Sequence, residues 1–128
     1  MIRLLLLAMV GSVVWAYNSF GWAELDGSAW DVKVREQAVF ALSRRDTLVF
    51  DRGHFTSAKR LREGFLPAHY SFNSSTADFG RFTASQKGED GSTLQWQGVI
   101  RGDRVKGTLW RVTEGRVEKY SFRGQRRS

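Results

Sequence analysis

The chain has 128 residues, 41% of them hydrophobic, and its twenty Lys and Arg outnumber thirteen Asp and Glu to give a net charge of +7. Fifteen of those cations are Arg, a balance that favours polyanionic neighbours such as nucleic acid, lipid head groups or acidic glycans. There is no Cys, which excludes a disulfide, a thiolate metal site, a Cys nucleophile and a lipoprotein acylation site, and a single Pro argues against disordered linkers.

Met1-Ile2-Arg3 supplies a positive start, and Leu4 to Trp15 is an unbroken run of small or apolar residues. Small residues then stand at the −3 and −1 positions of Gly21-Trp22-Ala23, and a second such site ends at Ala16. The pattern is that of a secretory signal peptide over residues 1–23, cleaved after Ala23. The alternative is an uncleaved membrane anchor, because the run extended to Ala23 gives about 20 residues, long enough to span a bilayer. Residues 24–128 then form one domain, of a size that a single hydrophobic core can serve. Its expected location is periplasmic or extracellular.

In chain order, Leu25-Asp26-Gly27-Ser28 reads as a turn, followed by strict alternation with Trp30, Val32 and Val34 on one face. The stretch 36–45 is expected to be a short helix or ordered loop covering one end of the fold. Residues 47–57 read as a hairpin turning at Asp51-Arg52-Gly53. Ala58 to Gly64 reads as a basic connection, Phe65 to Phe72 as a strand after Pro67, and Phe79 to Gln86 as another with Phe82 and Ala84 inward.

From Gly91 onward about ten alternating residues are followed by a glycine turn, repeatedly, with turns at Gly102-Asp103 and Glu114-Gly115. Trp96, Trp110, Tyr120 and Phe122 are the aromatic anchors of this meander. Strands are expected to begin near 29, 46, 54, 67, 78, 92, 104 and 116. Eight short strands with a turn between each pair predict an all-β, antiparallel up-and-down barrel, whose closure removes the edges an exported monomer must otherwise defend.

Leu25-Asp26-Gly27-Ser28-Ala29-Trp30 resembles the start of the calycin barrels, the lipocalins and avidins, although Gly27 and Trp30 stand one residue further apart than in that group's Gly-x-Trp. The region 25–124 is also similar to small secreted bacterial lipocalin-like domains. They share a leading Trp strand, a Phe-x-x-Gly-x-Phe hairpin (here Phe50 to Phe55) and an ending that runs here through Trp96-Gln97-Gly98, Gly102-Asp103 and Gly107-Thr108-Leu109-Trp110. The lipocalin Thr-Asp-Tyr signature and disulfide are missing. The resemblance implies an arginine of the last strand packed over Trp30 at the closed end, and Arg123 stands where that partner is expected.

Trp30, Phe50, Phe55, Tyr70, Phe82, Trp96, Trp110, Tyr120 and Phe122 are the candidate lining of a cavity for a small hydrophobic ligand. The same residues could instead simply fill the barrel, the reading that strands this short favour. His54 and His69 stand opposite the apolar faces of their strands with no third ligand at metal spacing, so no metal or other cofactor is expected. The carboxylates fall in turns or on polar faces, and no activated nucleophile is recognisable, so no enzymatic activity is expected. Basic groups occur at Arg44-Arg45, at Lys59-Arg60 with Arg62, and at Arg101, Arg104 and Lys106. The aromatics alternate onto the buried face, which disfavours base stacking and hence nucleic acid as the partner. Two functions are therefore expected: an exported, non-catalytic lipocalin-like barrel that binds a small apolar ligand, or a filled barrel whose basic surface contacts anionic envelope components or a protein partner. Oligomeric state is left open.

Overall fold

A computed structural model of the protein describes residues 25–37, 41–76 and 78–128. The predicted signal peptide and its cleavage site lie outside the described residues. Eight strands follow in order: β1 (Ser28–Glu36), β2 (Ser43–Asp51), β3 (His54–Ser57), β4 (Ala68–Thr76), β5 (Phe79–Lys87), β6 (Thr93–Arg101), β7 (Arg104–Thr113) and β8 (Arg116–Arg126). One short helix, α1 (Ala58–Arg62), lies between β3 and β4. Every strand pairs antiparallel with its sequence neighbour, and β8 pairs with β1, so the sheet closes into an up-and-down barrel.

The alternation seen in the sequence becomes an inside and an outside. Trp30, Val32 and Val34 of β1, Leu48 and Phe50 of β2, Phe82 and Ala84 of β5, Leu94 and Trp96 of β6, and Leu109 of β7 are buried. Their neighbours along each strand point outward and are mostly charged or hydroxyl-bearing, the reverse of a lipid-facing barrel.

Two boundaries differ from the sequence-based expectation. Within 36–45, expected as a short helix or ordered loop, β1 runs to Glu36 and β2 already begins at Ser43, and the described helix occupies the stretch read as a basic connection. The local reason is a cap. The Ser57 hydroxyl accepts a hydrogen bond from the Arg60 N–H (3.1 Å), which starts a helical turn where β3 ends. Residues 38–40 of the expected helix lie outside the described residues.

The opening turn covers one end of the barrel, the end that carries the β2–β3 turn. Leu25 is buried, and the Ser28 hydroxyl donates to its carbonyl (2.5 Å). Trp30 Nε1 in turn donates to Ser28 Oγ (2.9 Å). The Asp26 carboxylate accepts from the backbone N–H groups of Arg52 (2.8 Å) and Gly53 (2.9 Å) and from the Tyr70 hydroxyl (3.0 Å). One acidic turn residue thus ties the β2–β3 hairpin to β4.

Candidate functional site

Six rings form a continuous cluster through the barrel. Phe50 meets Tyr70 and Phe82 edge-on, each with ring centroids 4.9 Å apart. Phe55 packs on Phe50 (5.2 Å) and on Trp96 (5.0 Å), and Trp96 meets Phe122 at 5.5 Å. Tilted and edge-to-face contacts of this kind are the favoured arrangements of aromatic rings. The polar atoms among them have partners: Trp96 Nε1 donates to Gln86 Oε1 (2.9 Å), and Gln86 Nε2 donates to the Leu66 carbonyl (2.9 Å). Burial, and then the Asp26 carboxylate, push the Tyr70 hydroxyl above the ordinary tyrosine range.

Of the nine residues expected to line a cavity, Trp30, Phe50, Phe55, Tyr70, Phe82, Trp96 and Phe122 are buried in the core, and Tyr120 packs partly buried against it. Trp110 is a correction. Leu109 and Trp110 are adjacent, so only one can face inward, and Leu109 does, opposite Trp96 and Tyr120. Trp110 lies on the outer surface between Gln95 and Lys119.

Arg123 is the second correction. Phe122 faces inward, which forces Arg123 out, and the guanidinium over Trp30 belongs to Arg126, 5.7 Å from the ring centroid. Arg126 is the register partner of Trp30, three residues beyond the position expected. His54 and His69 are register partners, with rings 4.3 Å apart. Among the described residues no group of three or more His, Cys, Asp and Glu could hold a metal ion.

Space within the barrel is limited. A hollow of about 40 Å³ lies at the closed end beside Trp30 and Phe72. Another, of about 280 Å³, lies at the opposite end between Trp96, Tyr120, Val34 and Arg60. Arg60, grouped by sequence with the surface cations, is 6% exposed; its guanidinium pairs with Glu63 (2.8 Å) and lies 5.3 Å from the Tyr120 ring centroid.

On the outside, a groove of about 1160 Å³ runs across β2, β1, β8, β7 and β6. Its cations come from alternation and register together. Lys33 stands between Val32 and Val34, Arg45 precedes inward Asp46, Lys106 follows inward Val105, and Arg123 follows Phe122. The register then sets Arg45 opposite Lys33, Lys33 opposite Arg123, and Arg123 opposite Lys106. Beyond them the same row continues through Val99 to Arg81. All four contiguous cations are exposed, and none is in an ion pair among the described residues.

The two carboxylates of the groove do not neutralise this row. Arg127 grips Asp31 through Nε (3.2 Å) and a second nitrogen (2.5 Å), holding its carboxyl below the usual range. Asp46 is buried and accepts from the Ser57 hydroxyl (2.5 Å) and from the N–H groups of Thr47 and Lys59. Cross-strand neighbours lie about 4.5–5.5 Å apart at Cβ, and like charges directly opposite one another destabilise a sheet. Four in a row is therefore an arrangement that an anion would relieve.

Sequence reasoning found Arg45 and Lys106 but placed them in separate patches, and it missed Lys33 and Arg81 as members of one row. The signal was present in the alternation of each strand. What joins them is the pairing register, which follows from closure of the barrel. Compared with known proteins, the chain matches no family model, no curated protein and no solved structure.

Proposed function

We propose that the protein is an exported, non-catalytic barrel of lipocalin-like architecture that works through its outer basic face, as an interaction protein contacting an anionic component of the cell envelope. The observation that carries this reading is the unneutralised row Arg45–Lys33–Arg123–Lys106 over an interior filled by aromatic rings. The lipocalin-like part is supported by the Trp30 strand with Arg126 stacked above it at the closed end. Export is supported by the leader-like residues 1–23.

The competing reading, a barrel that carries a small apolar ligand, rests on the hollow beside Trp96 and Tyr120. At about 280 Å³ it falls just short of the roughly 300–1,000 Å³ of ordinary ligand pockets. It is also lined in part by Arg44, Lys59 and Arg60.

Two measurements separate the readings. The emission of buried Trp30 and Trp96 should stay unchanged across a panel of fatty acids, retinoids and sterols. The protein should be retained on an anionic matrix such as a sulfonated resin or heparin and released as salt rises, with the Lys33→Gln/Arg123→Gln variant eluting earlier. Saturable, salt-insensitive quenching by one lipophile would replace this reading with the ligand carrier. Unchanged elution of the double variant would remove the row from the function.

A further inference from the structure

Resting on that reading of the basic face, we infer that its partner is a single extended chain of an acidic polysaccharide, lying across the strands in the outer groove. Three features select this chemistry among polyanions.

The first is the file itself. Arg45, Lys33, Arg123 and Lys106 occupy four adjacent strands at one register level, so their origins repeat at the strand spacing of about 4.8 Å. The groove is also lined by Arg62, Arg101, Arg104 and Arg126, and a regularly spaced line of cations flanked by others matches one chain carrying an anionic group on each repeating unit.

The second is the row beside it. Two residues further along β8 and β7 the outward positions are Ser121 and Thr108, whose register partners continue the row beside the groove through Gln97, Thr83 and Ser71 to β4, while on β1 the same level holds Arg35. Hydroxyl and amide side chains both donate and accept, as sugar hydroxyls require, and this row runs parallel to the cations at about 7 Å. A polyphosphate can accept hydrogen bonds from this row but has no hydroxyls to donate to it. An acidic polysaccharide offers charge to one row and hydroxyls to the other.

The third is the absence of apolar anchors on this face. The exposed large apolar residues of the described chain are Leu42, Leu61, Leu66, Val112 and Val117, none of which lies in the groove. Membrane-binding surfaces add apolar insertion to charge, and single-stranded nucleic acids use exposed aromatic platforms. Neither is present along the file.

The test is titration of the purified protein with oligogalacturonate, using neutral dextran, inorganic polyphosphate of matched charge, phosphatidylglycerol vesicles and single-stranded DNA as comparators. Oligogalacturonate is expected to bind most tightly and dextran not at all. In Lys33→Gln/Arg123→Gln the affinity should fall by about tenfold or more at low salt, and the slope of log K against log salt should drop by about two. Thr108→Ala/Gln97→Ala should weaken oligogalacturonate several-fold and polyphosphate distinctly less. All four substituted positions face outward, and circular dichroism of each variant should match the parent.

Polyphosphate, vesicles or DNA binding as tightly as oligogalacturonate would overturn the polysaccharide assignment and leave the basic-face reading intact. Equal loss of both ligands in Thr108→Ala/Gln97→Ala would do the same. If no anion binds, or binding survives in Lys33→Gln/Arg123→Gln, both the assignment and the reading beneath it fall.

Discussion

At the scale of single residues, a pair of glycines on β6 and β7 imposes a tight steric constraint. Phe82, Gly98, Gly107 and Phe122 are successive register partners on β5 to β8, and the rings of Phe82 and Phe122 fold down over the two glycines between them. A side chain at Gly98 would meet the Phe82 ring. At Gly107 it would meet the Phe122 ring (2.6 Å) and the Gln97 carbonyl, which is backbone and cannot step aside. Gly107→Ala is therefore expected to destabilise the fold by about 1–3 kcal/mol through overpacking, read as a lower urea midpoint. In the sequence these glycines look like strand breakers. Their role becomes visible only when the register places a large ring on each side.

Other residue-scale features were legible. Trp30, Phe50, Phe55, Phe82, Trp96 and Phe122 follow from alternation alone, and all are buried. Trp110 and Arg123 were misread for one reason: each lies next to a residue with an equal or better claim on the interior, Leu109 and Phe122, and a strand admits only one of two neighbours. The Asp26 carboxylate, whose partners Arg52, Gly53 and Tyr70 are distant in the chain, had no local signal at all.

At the scale of elements, β1 and β8 carry the conflict between stability and proposed function. Lys33 on β1 has a cation opposite it on both sides, Arg45 and Arg123. Natural sequences break local rules of this sort mainly at functional sites. Lys33→Gln should therefore raise stability by a few tenths of a kcal/mol while weakening anion binding, with the gain shrinking as salt screens the repulsion. A loss of stability instead would mean that the lysine stem is wanted for packing. Strand number and most boundaries could be read from the turn spacing. The start of β2 could not, because Ser43-Arg44-Arg45 is polar and its strand character comes from pairing with β1.

The other turn of note is that between β5 and β6. The Asp90 carboxyl is held at about 2, well below the usual carboxylate range, by the hydroxyl and N–H of Ser92 and by Arg111. Arg111 bridges the carboxylate and the Phe65 ring, 5.6 Å from its centroid, so the crossing from α1 to β4 is fastened to the β5–β6 turn.

At the scale of the whole molecule, closure is uneven. Strand β7 meets β8 along ten register pairs, and β5 meets β6 along nine. In contrast, β3 meets β4 at only His54↔His69 and Phe55↔Ala68, aided by the Tyr70 N–H bonding the Gly53 carbonyl (3.2 Å). Native-state hydrogen exchange is expected to show this as a gradient, slowest across β6–β7–β8 and fastest along β3 and the start of β4. Uniform protection around the ring would show that the interior aromatics, rather than the ladder, hold the join.

That short join decides how the protein can go wrong. A closed barrel has no free edges, but one that parts at β3–β4 acquires two at once, and unpaired strands are templates for association with another copy. The sequence around the join limits the damage. Strand β3 is four residues long, Pro67 stands directly ahead of β4 where it cannot donate to a ladder, and the cations of α1 lie between them. Self-association under mild destabilisation would therefore proceed by exchange of whole segments across this gap between two molecules, giving dimers that retain the barrel in place of fibrils.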